Sequence, residues 1–264
     1  MDRSMVRTGG RAGNPGPLHA QAIRHPAATG LLAWHLGLGG WLRLAPQLTD
    51  HWAALDRAPQ VCRGHVAARA TAAGRVAAAL ARLLGCPFGP VRGDGIAMSV
   101  HVRLAQNGRA LHWQRSYAIP GRPPMVVRSV MGTLPDGRLA EIFPAGLGVA
   151  LRLEERDGGF AFTSTGLVWR LFGRYLSIPH RFGPGRLTVA ERCDPDGTHH
   201  LALTVVHPRL GEIYRLEGRY RVQAAMTSCA LGGFAPAAPP EDTTATPGLF
   251  LRGDVSGHSE SPDR

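Results

Sequence analysis

The spacing of hydrophobic residues changes its period once along the chain. Between Thr71 and Leu84 the apolar residues recur at helical spacing, and Arg75 and Arg82 occupy the opposite side. Gly85 and Pro87 follow as stop signals, because glycine adopts the left-handed C′ conformation and proline cannot continue a helix. The spacing predicts one helix with a single apolar stripe, formed by Val76, Ala79, Leu80 and Leu83.

After Pro90 the period becomes two, which is the repeat of a strand with one face in the core. The dipeptide Asn107–Gly108 favours a type I′ turn, so the two flanking segments are predicted to form a hairpin. The alternating apolar positions are Ile96, Met98, Val100, Val102 and Leu104 before the turn, and Leu111, Trp113, Tyr117 and Ile119 after it.

The same alternation recurs further along the chain between short turn signals such as Asp157–Gly158. The segments concerned are 125–133, 139–142, 147–153, 160–169, 187–192, 199–207 and 212–222. A further short strand, 64–69, is predicted before the helix. No helical pattern separates successive strands, which excludes a parallel α/β fold. We predict an α+β domain: an antiparallel β-barrel or strongly curved sheet of eight to ten strands, with an N-terminal helical layer.

Residues 1–30 and 233–264 are rich in glycine and proline and lack periodicity, so we predict a disordered arm and a disordered tail around one domain over 31–232. The most apolar window, 31–48, is interrupted by three glycines, His35, Arg43 and Pro46. It is predicted to be the first packed segment of the domain, because a membrane-spanning helix needs ~20 continuous apolar residues.

The charge of the chain comes entirely from arginine, with 30 cations against 19 acids and no lysine among 264 residues. The absence of lysine excludes Schiff-base and P-loop chemistry. The arginines are scattered, and the one stripe, Arg215, Arg219 and Arg221, is interrupted by Glu217. Codon bias explains such a composition, so nucleic-acid binding is not favoured, and contact with a membrane or another polyanion is kept as an alternative.

Cofactor and metal sites have no support in the sequence. The cysteines Cys62, Cys86, Cys193 and Cys229 are far apart, without a C-x-x-C pair, and are predicted to be unpaired and mainly buried. No G-x-G-x-x-G follows a strand, and the twelve histidines lack ligand spacing. We therefore predict neither cofactor nor metal, and the N-terminal residues, lacking a signal-peptide core, favour a cytoplasmic location.

Arg115 shares its strand face with Trp113 and Tyr117, so alternation directs a guanidinium into the apolar interior. A buried arginine needs a partner. One hypothesis is that Arg115 binds the acidic head of an apolar ligand, with Trp113 and Tyr117 beside it. The alternatives are an ion pair with Glu141 or Glu191, or a face assignment wrong by one residue.

Glu141 and His207 are the remaining candidates. Glu141 lies among apolar residues, where it is either a general acid or base or the partner of an arginine. His207 ends a strand, where it either caps the turn or serves as a base, although no G-x-S-x-G motif supplies a nucleophile.

Several segments together resemble the bacterial family known as domain of unknown function 4166. They are LLGCP, LHWQRSY, LAEIF, LRLEERDGGFAF and VVHPRLGEIYRLEGRY, within a stretch from about Leu38 to Tyr220. The resemblance implies a domain often found behind a reductase-like NAD-binding domain of the saccharopine-dehydrogenase or short-chain type. It implies no catalytic mechanism, because the family has no established activity.

The preferred function from the sequence is therefore non-catalytic binding of a small apolar or amphipathic, anionic ligand, as an accessory to a separate reductase. The residues predicted to bind it are Arg115, Trp113, Tyr117, Glu141 and His207. The first alternative is an enzyme that uses Glu141, Arg115 or His207 in acid–base chemistry on such a ligand. The second is binding to a membrane surface or a polyanion.

Overall fold

A computed structural model describes residues 30–105, 108–179 and 182–223. The predicted arm, apart from Gly30, and the predicted tail lie outside these residues, as do Asn107 and Cys229. The helices are α1 (Leu31–Trp41), α2 (Pro46–Ala54) and α3 (Ala72–Leu83). The strands are β1 (Gln60–Ala70), β2 (Arg92–Leu104), β3 (Ala110–Ala118), β4 (Met125–Thr133), β5 (Leu139–Ile142), β6 (Leu147–Arg156), β7 (Gly159–Leu171), β8 (Arg174–Ile178), β9 (Arg186–Cys193), β10 (His199–His207) and β11 (Gly211–Gln223).

The strands close into an antiparallel barrel. Their order is β6-β5-β4-β3-β2-β1-β11-β10-β9-β7, and a further pairing of β6 with β7 completes the ring of ten. Strand β8 lies outside the ring and pairs with the second half of β7. The predicted α+β fold is confirmed, and closure decides in favour of the barrel over the curved sheet.

Helices α1 and α2 cover the end of the barrel at which β1 begins, here called the floor. Arg43 forms an ion pair with Glu155 at 2.7 Å, and the Ala45 amide donates to the carbonyl of Gly158 in the β6–β7 turn. Leu48 and Trp52 of α2 are buried in the main core. The predicted first packed segment is thus a helical layer that closes one end of the barrel.

Helix α3 lies at the opposite end, here called the mouth. Thr71 caps it by accepting a hydrogen bond from the Gly74 amide, as its sequence favours. The predicted apolar stripe is not packed against the barrel, because Val76, Leu80 and Leu83 are exposed, and of these only Leu80 also lines the cavity described below. The buried side consists of Gly74 and Ala78, since the Ile213 carbonyl oxygen leaves no room for a Cβ at Gly74.

The β2–β3 hairpin forms as predicted, with Val102 opposite Trp113 and Val100 opposite Arg115. Gly108 has φ of +67°, and its amide donates to the Ala105 carbonyl at 2.9 Å. Gly108 is therefore the fourth residue of this turn, whereas the predicted type I′ turn has it at a central position. Strand alternation places the side chains of Trp113, Arg115 and Tyr117 toward the barrel interior, where all three line one cavity. In the described part of the chain, no helix is long and apolar enough to span a membrane.

Candidate functional site

A cavity of about 450 Å³ occupies the barrel interior. Its wall is formed mainly by apolar side chains at alternate strand positions, such as Met98 and Val100 on β2 and Leu201, Leu203 and Val205 on β10. Eight strands already give an interior just wide enough for side chains to fill. A ring of ten strands therefore leaves space that the side chains do not occupy.

The cavity reaches the protein surface at the mouth. Leu80 and Leu84 at the end of α3 and Phe182 before β9 line the cavity and are also more than half exposed. At the floor, His51 and Trp52 of α2 line the same cavity and are buried. The cavity is therefore closed at the floor by α2 and open to solvent at the mouth beside α3.

Three polar side chains from neighbouring strands form what we call the arginine cluster: Arg115 on β3, Ser129 on β4 and Glu141 on β5. Arg115 Nη1 donates to Glu141 Oε1 at 2.7 Å and to Ser129 Oγ at 3.1 Å. The Ser129 hydroxyl donates to the same carboxylate oxygen at 2.5 Å. The guanidinium carbon lies 4.8 Å from the Trp113 ring centroid, which adds a cation–π contact.

The arginine cluster keeps a charged guanidinium at the cavity surface. Burial lowers the pKa of Arg115, but the charge and hydrogen bond of Glu141, together with Tyr117, outweigh this effect, so the pKa lies above its ordinary value. Burial also raises the pKa of Tyr117, against the lowering effect of Arg115, so its phenol is neutral at pH 7. Arg115 retains 22% of its side-chain surface exposed. Its hydrogen bonds in the described chain all leave from Nη1, so donors at Nε and Nη2 remain for a ligand.

A second polar group, the histidine cluster, consists of Glu191 on β9, His199 on β10 and Tyr220 on β11. The Tyr220 hydroxyl donates to Glu191 Oε1 at 2.5 Å, and His199 Nδ1 is hydrogen-bonded to the same oxygen at 3.0 Å. The His199 and Tyr220 rings stack with centroids 4.8 Å apart. Burial, reinforced by Glu191, raises the pKa of Tyr220 well above its ordinary value, so the phenol remains a donor.

The two clusters lie on opposite walls. Their middle strands, β4 and β10, are five places apart in the ring of ten. Glu141 and Arg115 line the cavity on one side, and Glu191 and Tyr220 line it on the other. A molecule inside the barrel therefore meets polar groups on two sides and apolar side chains between them.

Near the floor, several buried polar atoms have no hydrogen-bond partner in the described protein. They are His51 Nδ1, Trp52 Nε1 and Trp113 Nε1, and all three residues line the cavity. The His51 ring contacts Trp52 and His199. Burial lowers the pKa of His51 to about 4, so its imidazole is neutral at pH 7.

The structure brings together four of the five residues predicted to bind a ligand. Arg115, Trp113, Tyr117 and Glu141 line the cavity. His207 ends β10, where its Nδ1 accepts a hydrogen bond from the Arg209 amide, and it is not among the cavity-lining residues. The sequence left two roles open for His207, a turn cap and a general base, and this hydrogen bond is the one that a turn cap makes.

The histidine cluster was not predicted as a unit. Glu191 was considered only as a partner for Arg115, and it instead binds His199 and Tyr220. Period-two alternation carried a signal for it, because Glu191 shares a strand face with Leu187 and Val189, which also line the cavity. Nothing in the local pattern showed that β9, β10 and β11 are neighbours.

The described cysteines are unpaired, with Cys62 and Cys86 buried and Cys193 partly exposed. Burial raises the pKa of the Cys62 and Cys86 thiols to about 12, which makes both thiols poor nucleophiles at pH 7. Among the residues that the structure describes, no group of three or more histidine, cysteine, aspartate or glutamate side chains is arranged to hold a metal ion.

Comparison with protein families matches residues 44–220 to the family described as Domain of unknown function (DUF4166). This match covers well over half of the chain. The chain belongs to this family. The DUF4166 region begins just before α2 and ends at Tyr220, so it contains both polar clusters and the helix that closes the floor. No curated protein matches the chain.

Proposed function

We propose that the DUF4166 barrel binds a small apolar or amphipathic molecule in its interior, without catalysing a reaction. The observation that carries this proposal is the apolar cavity of about 450 Å³ with a charged, partly unsatisfied guanidinium in its wall. Sites for small molecules usually have volumes of roughly 300–1,000 Å³, mostly apolar walls and a few fixed polar groups.

Arg115 defines the chemistry of the ligand head. Its free N–H groups select an oxygen acceptor, and its charge favours a carboxylate. Glu141 neutralises part of that charge, so an uncharged carbonyl or hydroxyl oxygen fits the same donors. The shared chemistry is an oxygen acceptor on an apolar body.

Native mass spectrometry of the full chain, purified from cells that produce it naturally, tests binding directly. We expect a mass increase that disappears on denaturation and corresponds to an apolar molecule with an oxygen-containing head. Comparing the affinity for a fatty acid with that for the alcohol of the same chain length then shows whether the site prefers a carboxylate or an uncharged hydroxyl head. A protein that carries no molecule and binds neither probe would contradict the proposal.

Acid–base catalysis on the same ligand is the second candidate, favoured by the carboxylates of Glu141 and Glu191 on opposite cavity walls. Glu141→Gln separates the candidates, because the amide keeps the shape of the side chain but cannot exchange a proton. Turnover of the co-purified molecule that is lost in this variant, with binding retained, would establish the enzyme.

We also propose that the bound molecule is shared with a separate reductase, as the family resemblance implies. The test is whether the co-purified molecule is reduced or oxidised by a reductase encoded beside this gene. Absence of any reaction with such an enzyme would count against this partner and leave ligand binding to be judged on its own.

A further inference from the structure

The two ends of the barrel differ in charge. In the described connections at the floor, four arginines accompany six aspartates. In the described connections at the mouth, α3 included, there are four arginines and no aspartate or glutamate: Arg75, Arg82, Arg122 and Arg209. A fifth, Arg174, begins β8 beside the β7–β8 turn, and the acids at the mouth ends of strands are Asp94 on β2 and Glu212 on β11, which pairs with Arg215. Among the described connections, those at the mouth are therefore positively charged, whereas those at the floor carry more acids than arginines.

The mouth arginines are also available to a partner. All five are exposed, and none of them forms an ion pair within the described residues. At the floor, in contrast, Arg43 pairs with Glu155 and Arg138 with Asp136. The mouth therefore presents positive charge that the described protein does not neutralise.

Large apolar side chains surround the same opening. The stripe on α3 and its end is exposed, with Val76 at 61%, Leu80 at 56%, Leu83 at 82% and Leu84 at 57%. Phe172, at the tip of the β7–β8 turn, is 95% exposed. Because the side of α3 that packs on the barrel is Gly74 and Ala78, the apolar stripe is left to face outward.

The combination identifies the kind of partner. A nucleic acid would be attracted by the arginines, but it offers little to a row of leucine and valine side chains. An anionic bilayer binds both kinds of side chain, because its headgroups attract arginine and the boundary of its acyl chains accepts apolar side chains from one face of a helix.

We propose that the mouth face, defined by the outer side of α3, Phe172 and the five mouth arginines, docks on an anionic lipid surface. This inference goes beyond ligand binding and does not depend on it, because the residues that carry it include Val76, Leu83 and Phe172, which do not line the cavity.

Sedimentation of the full chain with lipid vesicles tests the docking. We expect binding to vesicles of phosphatidylcholine with phosphatidylglycerol, little binding to phosphatidylcholine alone, and weaker binding as salt increases. The double variant Val76→Glu/Leu83→Glu is expected to reduce the affinity by at least about tenfold.

The matched control is Trp34→Glu/Leu42→Glu at the floor, on helix α1 and at the residue that caps its end, where the wild-type side chains are 67% and 63% exposed. This pair makes the same change of charge at the other end of the molecule. We expect it to alter vesicle affinity by no more than about twofold. Equal losses in the two double variants would overturn the proposal, because the attraction would then be that of net charge alone.

Two further results would also overturn it. One is the absence of binding to anionic vesicles at physiological salt. The other is retention on a protein partner that Val76→Glu/Leu83→Glu abolishes while vesicles do not bind, which would make the face a protein interface. Thermal unfolding and binding of a fatty acid, measured on each variant, show that the fold and the cavity remain intact and keep this test separate from that of ligand binding.

Discussion

Arg115 faces the barrel interior because strand alternation places it on the same side as Trp113 and Tyr117. Its charge is tolerated there because Glu141 lies 2.7 Å from Nη1 and Ser129 supports the same oxygen. An ion pair of this kind is weak evidence for stability, since both charges lose hydration on burial. Removing only one of the two partners is costly, because the other charge then remains buried without a partner.

The arginine cluster can be tested by a double-mutant cycle. We expect Arg115→Leu and Glu141→Leu each to lower the free energy of unfolding by about 3 kcal/mol, because each leaves an uncompensated charge in the wall. Arg115→Leu/Glu141→Leu together should recover most of that loss. Urea unfolding of the four proteins measures the coupling energy. If the losses of the two single variants simply added in the double variant, Arg115 and Glu141 would not be stabilising each other.

His51 predicts a pH dependence of stability. Its folded pKa of about 4 is below the ordinary value of 6.5, so the folded state resists a proton that the unfolded chain accepts. The free energy of unfolding should therefore decrease as the pH falls from 6.5 to about 4, by up to about 3 kcal/mol at the acid limit. Urea unfolding at several pH values measures this slope.

His51→Phe removes the titrating group, so the variant should lose less stability than the wild type over the same pH range. Other acid-titrating groups are common to both proteins and cancel in the difference. The exposed His101 provides the control, and His101→Phe should leave the pH dependence as it is in the wild type. Parallel curves for the wild type and His51→Phe would refute the assignment.

At the scale of elements, α3 shows how packing overrides an apolar stripe. The helix covers Ala72–Leu83, within the predicted stretch from Thr71 to Leu84, and ends just before its predicted stop, so its local signals hold. Its orientation depends on which side fits closely against β11, and the side that does so carries Gly74, where a Cβ would meet the Ile213 carbonyl, and Ala78. Close approach of the backbone therefore wins over burial of leucine and valine.

For substitution of Gly74, the packing of α3 and helix propensity predict opposite changes in stability. Alanine at position 74 would favour an isolated helix by up to about 1 kcal/mol. We nevertheless expect Gly74→Ala to destabilise the protein by about 2 kcal/mol or more, because the new methyl group collides with the Ile213 carbonyl. Thermal or urea unfolding measures the effect.

The exposed position Ala79 on the same helix serves for comparison. Ala79→Gly should cost about 1 kcal/mol from propensity alone. If Gly74→Ala were instead as stable as the wild type, the tight contact between α3 and β11 would be ruled out.

At the scale of the whole molecule, barrel closure creates the cavity. Ten strands enclose more space than their side chains fill, α2 closes one end, and the other end opens between α3 and Phe182. The two polar clusters then stand on opposite walls because three strands on each side contribute them. Every one of these features depends on the ring being complete.

Filling the cavity should abolish binding of an apolar probe. Leu203 on β10 lines the cavity, whereas the next residue, Thr204, is not part of the lining. We expect Leu203→Trp to weaken binding of anilinonaphthalene sulfonate by roughly tenfold or more, equivalent to about 1.4 kcal/mol. Thr204→Trp introduces the same side chain at the neighbouring position, which does not line the cavity, and should retain wild-type affinity. Equal affinities in a fluorescence titration would place the probe elsewhere.

Much of this architecture could be predicted because strand alternation and turn chemistry act between residues that are close in sequence. They indicated the β2–β3 hairpin, most of the other strands and the inward direction of Arg115, and the structure agrees. Strand β8 and the separate helices α1 and α2 were not resolved by the pattern. In the 31–48 window, glycine and proline interrupt the helical repeat, so the pattern there showed packing without showing how many helices form.

By itself, the sequence determined the local elements, the antiparallel class of the sheet and which side of β3 carries Arg115. Only the tertiary structure decided that β6 pairs with β7, that Arg115 pairs with Glu141 while Glu191 joins His199 and Tyr220, and that α3 buries its small residues. The reason is that alternation fixes a side chain's direction within its own strand. Its partner depends on the order and register of strands that are distant in sequence, which are set when the whole ring closes.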